Sequence, residues 1–335
     1  MQINKWGLLA VILFALAFLF YTVLQLDLNQ FLKVFNNLDY LWLSLSILSI
    51  IFYWLSEAKI LQTITFSLAG NYSLAEAVKV TMIGQFFNII TPFASGGQPA
   101  QLYTLNKQNL NSGSAASILM IKFIVYQFML TLYSLLLIFF KSPFFKAKTN
   151  NFFYLIFIGF AVNLSVILAL YIFARHKKLK EFLLLGSLKF LAKIKLIKDY
   201  QKWERKVNKQ IELFDQDLKI LQRKKKMLLK ISIFTAVQLS FFFLIPYFVY
   251  RSFNLNQVEV FTVIAAAAFV IMITSFVPVP GASGGAEISF YYFFSLFFLK
   301  EQLLIAIFIW RFISYYSALI IGGLIIFINR KTLAA

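Results

Sequence analysis

Long runs of apolar residues dominate this sequence and leave few folds open to it. Six runs are each long enough to cross a membrane, because a helical span needs about 20 apolar residues. They are Trp6–Leu26, Leu41–Leu61, Ser114–Phe140, Phe152–Phe173, Leu228–Tyr250 and Leu303–Ile328. In hydrocarbon every backbone N–H and C=O must find a partner within the protein, and a helix satisfies them all internally. The predicted fold class is therefore an all-α polytopic integral membrane protein with about six full spans.

Composition agrees with this and excludes several kinds of site. Of 335 residues, 61% are hydrophobic and 13% charged, whereas a soluble domain is nearer half apolar and a quarter charged. The first run is too long for a signal-peptide core and lacks a small-residue cleavage site, so we interpret it as an uncleaved helix. Without cysteine, no disulfide or thiolate site can form. The single histidine, His176, cannot build a zinc site of the usual type, and we expect no metal and no cofactor.

A basic segment, Arg175–Met227, separates the fourth and fifth runs and carries much of the net charge of +19. The positive-inside rule puts this linker and both termini in the cytoplasm. We therefore expect one membrane domain, 1–335, with halves 1–174 and 228–335 joined by the linker 175–227. Six apolar residues recur there at intervals of three or four, which predicts an amphipathic helix: Trp203, Val207, Ile211, Phe214, Leu218 and Leu221. Phe182–Ile197 suits the membrane interface. The alternatives are a solvated helical hairpin and an arm that binds a partner or lipid.

One short motif, Pro-x-Ala-Ser-Gly-Gly, occurs twice, beginning at Pro92 and at Pro280. Each copy interrupts an apolar region, the first spanning Ala77–Leu105 and the second Val258–Leu299. We interpret each region as a re-entrant hairpin of two half-helices with the motif at its tip. Paired breaks in corresponding places of two halves are typical of transporter binding sites.

Counting spans from the cytoplasmic linker gives the direction of each hairpin. The first hairpin then enters from the cytoplasm and the second from outside, so the two form an inverted-topology repeat. Against this scheme, Lys141, Lys146 and Lys148 would lie outside, where the positive-inside rule expects few lysines.

The start of each second half-helix is a candidate anion site, because a helix N-terminus carries partial positive charge and unpaired N–H groups. The residues at these positions are Ser95, Gly96 and Gly97 in the first copy and Ser283, Gly284 and Gly285 in the second. The alternative is that the glycines only allow close packing of helices.

Polar side chains inside the apolar regions are the other candidates, since they are costly in a membrane and usually paired or functional. Glu287 follows the second motif, and Arg311 in the last run is its natural partner, either as a structural pair or as a group that meets a lipid phosphate. Lys122 is interpreted as a lysine that snorkels to the interface. Four amides at spacings of three could line a polar groove or form single interhelical hydrogen bonds: Gln85, Asn88, Gln98 and Gln101.

These residues resemble one known family, the lysylphosphatidylglycerol synthase transmembrane region, also called flippase-like. The similar segments are GQFFNIITPFASGGQPAQLYTL, SAASILMIKFIVYQ, SFVPVPGASGGAEISFYYFF and IWRFIS, and the likeness runs in order along the chain. In larger members, this region is similar in role to a lipid flippase. A soluble C-terminal domain there moves lysine from lysyl-tRNA onto phosphatidylglycerol, and we expect this short form to lack it. The resemblance implies a multi-pass protein of the bacterial plasma membrane that handles lipid.

The first hypothesis is accordingly a flippase or translocator for a phosphate-bearing lipid such as phosphatidylglycerol or its lysyl derivative. No phosphate-binding loop is present, so transport would run downhill or be driven by membrane potential or ions. The alternatives are a phosphatidylglycerol lysyltransferase, which confers resistance to cationic peptides, and a membrane subunit that recruits a soluble synthase. The expected partners are an anionic or aminoacylated phospholipid and either a second copy of the chain or that synthase. Nucleic acid, as tRNA, is a partner only under the lysyltransferase alternative.

Overall fold

The computed structural model describes Leu13 and residues 28–148, 152–194, 199–274 and 277–329. Within these ranges the chain is predominantly helical and contains no β-strand. Five of the described helices are long and apolar enough to cross a membrane, namely Tyr40–Ala69, Ser112–Ala147, Phe157–Arg175, Lys225–Ser252 and Lys300–Ile328. The all-α polytopic prediction is thus confirmed, while the predicted first span, Trp6–Leu26, lies outside the described residues except for Leu13.

The helices of the first half and linker are numbered in chain order. They are α1 (Leu28–Asn36), α2 (Tyr40–Ala69), α3 (Leu74–Ile89), α4 (Gly97–Lys107), α5 (Ser112–Lys148), α6 (Phe152–Arg175), α7 (Lys177–Lys193) and α8 (Tyr200–Arg223). Those of the second half are α9 (Lys225–Ser252), α10 (Val260–Thr274), α11 (Gly285–Phe294), α12 (Lys300–Arg311) and α13 (Ser317–Ile328). A π-helical segment, Phe312–Tyr316, joins α12 to α13 without a break.

Each predicted hairpin consists of two short helices on either side of its motif. Helices α3 and α4 pack against each other in the first, and α10 and α11 do so in the second. With a rise of 1.5 Å per residue, the 15-residue α10 is about 22 Å long, which is less than the ~30 Å of a hydrocarbon core. In both halves, two short helices separated by the motif therefore stand where a single membrane-crossing helix could have been, as predicted. We call these two short helices a broken pair.

The order of elements repeats between the halves. A long helix (α2 or α9) leads into a broken pair, and another long helix (α5, or α12 with α13) leaves it. The two leading helices, α2 and α9, pack extensively against each other. Their lengths are 30 and 28 residues, and the helices just before the motifs have 16 and 15. The repeat that the short motif indicated thus extends over several helices.

The linker is docked onto the membrane helices. The apolar stripe of α8 is buried at Ile211, Phe214, Leu218 and Leu221, and α8 packs along α5. Polar contacts fix its position: the Gly113 N–H donates to Gln210 Oε1 over 2.7 Å. The predicted amphipathic helix is confirmed, and its apolar face covers this protein's own helices.

Helix α7 of the linker keeps an apolar surface uncovered. Phe182 and Phe190 are strongly exposed, while Lys180 on the same helix is buried and forms an ion pair with Asp215 of α8. An exposed apolar face beside lysines suits a helix at the membrane interface, as predicted for this segment.

Candidate functional site

The two Pro/Gly motifs fold into the same backbone turn. We call Pro92–Ala94 the first turn and Pro280–Ala282 the second; both are single 3₁₀ turns that begin at the proline. The next two residues of each take left-handed conformations, with φ of 55° at Phe93, 51° at Ala94, 63° at Gly281 and 51° at Ala282. Left-handed backbone is costly for residues other than glycine. Its recurrence at matching positions shows that the similarity of the motifs is structural.

The serines after the turns make the same side-chain contact, but the two backbones diverge from this residue on, with ψ of −19° at Ser95 and 137° at Ser283. Ser95 Oγ donates to Pro92 O over 2.8 Å, and Ser283 Oγ donates to Pro280 O over 2.9 Å. The next residue is right-handed in the first copy and left-handed in the second, with φ of −79° at Gly96 and 85° at Gly284.

The two turns lie in contact with each other. The Tyr315 hydroxyl from the π-helical segment reinforces this contact by donating to the Ile89 carbonyl, at the end of α3, over 2.9 Å. The same hydroxyl lies under Gly281, because a Cβ atom at Gly281 would be 1.3 Å from it. The structure thus brings the two copies of the motif together.

Glu287 and Arg311 form the buried ion pair that the sequence predicted. Arg311 Nε donates to Glu287 Oε1 over 2.6 Å, and the exposed fractions of Arg311 and Glu287 are 5% and 6%. The other carboxylate oxygen accepts the Gly284 N–H over 2.7 Å. Glu287 thus neutralises the arginine and at the same time caps the first turn of α11.

Arg311 also reaches the second turn. Its Nη2 donates to the carbonyls of Gly281 and Ala282 over 3.2 and 3.4 Å, and its guanidinium lies 4.8 Å from the centre of the Tyr315 ring. The π-helical segment begins at the next residue. Such segments are rare in proteins, and those that occur are often at functional sites. One cation therefore connects α11, α12 and the turn that contacts the first motif.

A second ion pair, between a partly buried lysine and a buried carboxylate, lies in the first half, and its carboxylate was not among the residues predicted from the sequence. Lys122 Nζ of α5 donates to Glu57 Oε1 of α2 over 2.6 Å and to Gln101 Oε1 of α4 over 3.2 Å. Gln85 Nε2 of α3 donates to Glu57 Oε2 over 2.6 Å. The interpretation of Lys122 as a snorkelling lysine is wrong, because its ammonium has a carboxylate and an amide as partners inside the bundle. The signal for Glu57 was a carboxylate within the run Leu41–Leu61.

The predicted amide groove is divided in the structure. Gln85 and Gln101 join the Glu57–Lys122 pair, while Asn88 lies against Gly97. Gln98 is exposed and faces a separate cavity of about 710 Å³. This cavity lies between the starts of α4 and α5 and the linker helices α7 and α8, with one residue of α6. Its lining is largely apolar, and the polar residues on it are Gln98, Ser112, Lys180, Lys206 and Gln210.

The glycines of the first motif are closely packed. A Cβ atom on Gly97 would lie 2.0 Å from Asn88 Oδ1, and one on Gly96 would lie 2.6 Å from Thr91 Cγ2. The Gly96 N–H already donates to Thr91 Oγ1 over 2.8 Å. These contacts are what the close-packing alternative predicts, and anion binding by these residues stays a prediction.

The second motif has a tight glycine and an open one. A Cβ atom on Gly285 would lie 2.6 Å from Val277 Cγ2, whereas one on Gly284 would meet no described atom within 4 Å. The Gly284 N–H is taken by Glu287. An anion at this helix start would therefore have to share that N–H with Glu287 or use the next ones along α11.

The fold and this site together define a polytopic α-helical membrane protein with a duplicated, broken helix pair. The chain belongs to the family described as lysylphosphatidylglycerol synthase TM region, whose model matches residues 7–322. It is also similar to a protein of Archaeoglobus fulgidus described as a UPF0104 membrane protein. The two are 24% identical over 307 residues, which is 87% of this chain and 88% of the relative.

Proposed function

We propose that this protein translocates a phosphate-bearing lipid, such as phosphatidylglycerol or its lysyl derivative, across the membrane in which it lies. The observation that carries the proposal is the contact between two matching turns, each breaking a helix pair, with the buried Arg311 bound to one of them. Irregular backbone at membrane depth is tolerated where it is buried in protein or lines a cavity. In transporters, such breaks meet at the substrate site.

The obstacle to lipid translocation is the loss of headgroup hydration, which is costly for any charged or polar group moved into hydrocarbon. Arg311 supplies a planar guanidinium whose donors fit a phosphate group. The carbonyls of the turns and the amides of Gln85 and Gln101 supply further polar partners. The headgroup would exchange its water for these groups during passage.

The acyl chains need a different environment. The largely apolar cavity of about 710 Å³ between α4, α5 and α8 is within the usual size range for sites that hold small molecules. Gln98 and Lys206 provide polar groups on its lining. We propose this cavity as the place where a lipid enters, with the plasma membrane as the expected location.

The proposal predicts flipping by the purified protein. Proteoliposomes containing labelled phosphatidylglycerol should equilibrate the label between leaflets faster than protein-free vesicles. Gly97→Leu and Gly284→Leu should both lose flipping, and the rate should be divided by the amount of folded protein recovered. Close packing alone predicts lost protein with normal activity per surviving molecule, most of all at the tightly packed Gly97.

The same preparation tests the alternative chemistry. The protein is incubated with unlabelled phosphatidylglycerol and with lysyl-tRNA whose lysine is radiolabelled, and the lipid is then extracted. Label in the lipid would support the lysyltransferase alternative. If the protein neither flips lipid nor labels it, both functions are contradicted, and the synthase-recruiting subunit is the alternative that is left.

Orientation is a separate prediction, because it rests only on the charge distribution. The cysteine-free sequence allows single cysteines to be introduced at Lys189 in the linker and at Lys146 at the far end of α5. An impermeant thiol reagent added to intact cells should label position 146 and spare position 189. Labelling at 189 from outside would overturn the inverted-repeat scheme.

A further inference from the structure

Lys122 occupies in the first half the place that Arg311 occupies in the second. Each lies on the long helix that comes after its broken pair, α5 for Lys122 and α12 for Arg311. The interval from Pro92 to Lys122 is one residue shorter than that from Pro280 to Arg311. Each cation also contacts the second half-helix of its own pair, through Gln101 on α4 and Glu287 on α11. The repeat therefore contains a pair of corresponding cations.

The two cations differ in how firmly they are held. Arg311 is bound by Glu287 and by two carbonyls, and its side chain is 6% exposed. The Lys122 side chain is 15% exposed and has a flexible stem. Its contacts with Glu57 and Gln101 use two of the three donor hydrogens of a lysine ammonium. Because its side chain is more exposed and more flexible than that of Arg311, Lys122 is the cation that can turn to another anion with less rearrangement.

The environment of Glu57 determines how this carboxylate responds when its cation turns to another anion. The charged or titratable side chains around it are Lys122 and Tyr126 from α5 and Tyr53 from its own helix, with the Gln85 amide from α3. Gln238 of α9 lies beside Tyr53. Lys122 is the only cation among these described neighbours. A buried carboxylate that loses its cation is strongly destabilised as an anion, and taking up a proton removes the cost.

We propose that Lys122 is a second anion-binding site, at which the phosphate of an anionic amphiphile replaces Glu57 as counter-ion while Glu57 takes up a proton. The proposal rests on the proposed function for the choice of a lipid phosphate. One negative charge, on the phosphate, and one proton, on Glu57, enter together, so the net charge around Lys122 and Glu57 does not change. Binding is therefore coupled to proton uptake, which would let a proton gradient act on the protein.

Calorimetry on the wild-type protein in detergent tests the coupling without any substitution. Short-chain phosphatidylglycerol is titrated in several buffers that differ in ionisation enthalpy, from mildly acidic to mildly alkaline pH. About one proton should be taken up per lipid bound, and the affinity should fall as the pH rises. Binding without proton uptake overturns the proposal. Inorganic phosphate and glycerophosphate serve as separate ligands; if they bind as tightly as the lipid with the same proton uptake, the site is for free phosphate.

Substitutions then give effects of opposite sign. Lys122→Gln should weaken binding about tenfold or more, since it removes a charged hydrogen bond, whereas Lys122→Arg should retain it. Glu57→Gln removes the competing counter-ion, so it should strengthen binding and abolish its dependence on pH. A purely structural pair predicts weaker binding or lost protein for both changes. The double variant Glu57→Gln with Lys122→Gln controls for folding, and Lys209→Gln, at an exposed lysine of α8, should leave proton uptake unchanged.

The two proposals can fail separately. Flipping that persists with unchanged lipid binding in Lys122→Gln would overturn the second anion site and leave the translocator. If binding depends on Lys122 and takes up a proton but no flipping occurs, the translocator is overturned and the second anion site stands.

Discussion

Replacing Arg311 by alanine is expected to remove about 3–5 kcal/mol from the free energy of unfolding, because it leaves the Glu287 carboxylate buried without a cation. The change also removes the two hydrogen bonds to the second turn, so the turn loses its connection to α12. The expected result is a large fall in folded yield and in the midpoint of denaturation in detergent. Glu287→Ala should have a similar effect for the converse reason.

A double-mutant cycle distinguishes this from two unrelated defects. Its two single variants are Glu287→Gln and Arg311→Met, and the double variant replaces the ion pair by neutral side chains. The double variant should lose clearly less stability than the sum of the losses of these two single variants. The matched control is Lys141→Ala, which breaks an ion pair with the mostly exposed carboxylate of Glu259. Lys141 lowers the pKa of Glu259 through a hydrogen bond and its charge, but an exposed pair contributes little to stability. Additive single defects at 287 and 311 would contradict the coupling.

Gly281→Ala is expected to disrupt the contact between the two turns. Its φ of 63° is left-handed, which costs a residue with a side chain about 1–2 kcal/mol. The larger effect is steric, because the new Cβ would lie 1.3 Å from Tyr315 Oη and 2.0 Å from Cζ. Tyr315 must then leave, and its hydrogen bond to Ile89 is lost. We expect loss of folded protein, or folded protein without flipping, measured by size-exclusion chromatography and the proteoliposome assay.

Gly70→Ala provides the matched control for this prediction. Gly70 ends α2 with a φ of 80°, yet a Cβ atom there would meet no described atom within 4 Å. It therefore tests backbone strain without the clash, and its ψ of −63° makes that strain at least as large as at Gly281, where ψ is 19°. If both variants lost the same amount of stability, strain alone would explain Gly281 and the proposed role of the Tyr315 contact would be wrong.

The parts of this site that the sequence predicts are those that depend on short-range order. Two prolines followed by glycines in apolar surroundings predict breaks in helices, and the shared Ala-Ser-Gly-Gly predicts similar turns. Glu287 and Arg311 were paired correctly because they are ionisable groups in the apolar stretches after the second motif, where an unpaired charge is costly. The order of helices repeats over most of the two halves, but in the sequence the only sign of this repeat was the one short motif.

The Glu57–Lys122 pair was harder to predict, because the two residues lie on helices that are far apart in the sequence. Which face of α2 meets which face of α5 is set by packing against α3, α8 and α9. A lysine nine residues into an apolar run has the same local pattern whether it snorkels or pairs. Similarly, Gln98 and Gln101 have helical spacing, yet the packing of α5 buries one and leaves the other on a cavity.

Differences between the matching turns also bear on whether the resting molecule prefers to open to one side of the membrane. Halves that were identical and oppositely oriented would give a resting molecule no preference for opening to either side. The position after the proline breaks this equivalence, because Phe93 has an exposed ring while Gly281 has no side chain and packs against the Tyr315 hydroxyl. A resting preference for one leaflet would be encoded in such differences. Under the proposed translocation, lipid gradients, membrane potential or protons would still decide the direction of net movement.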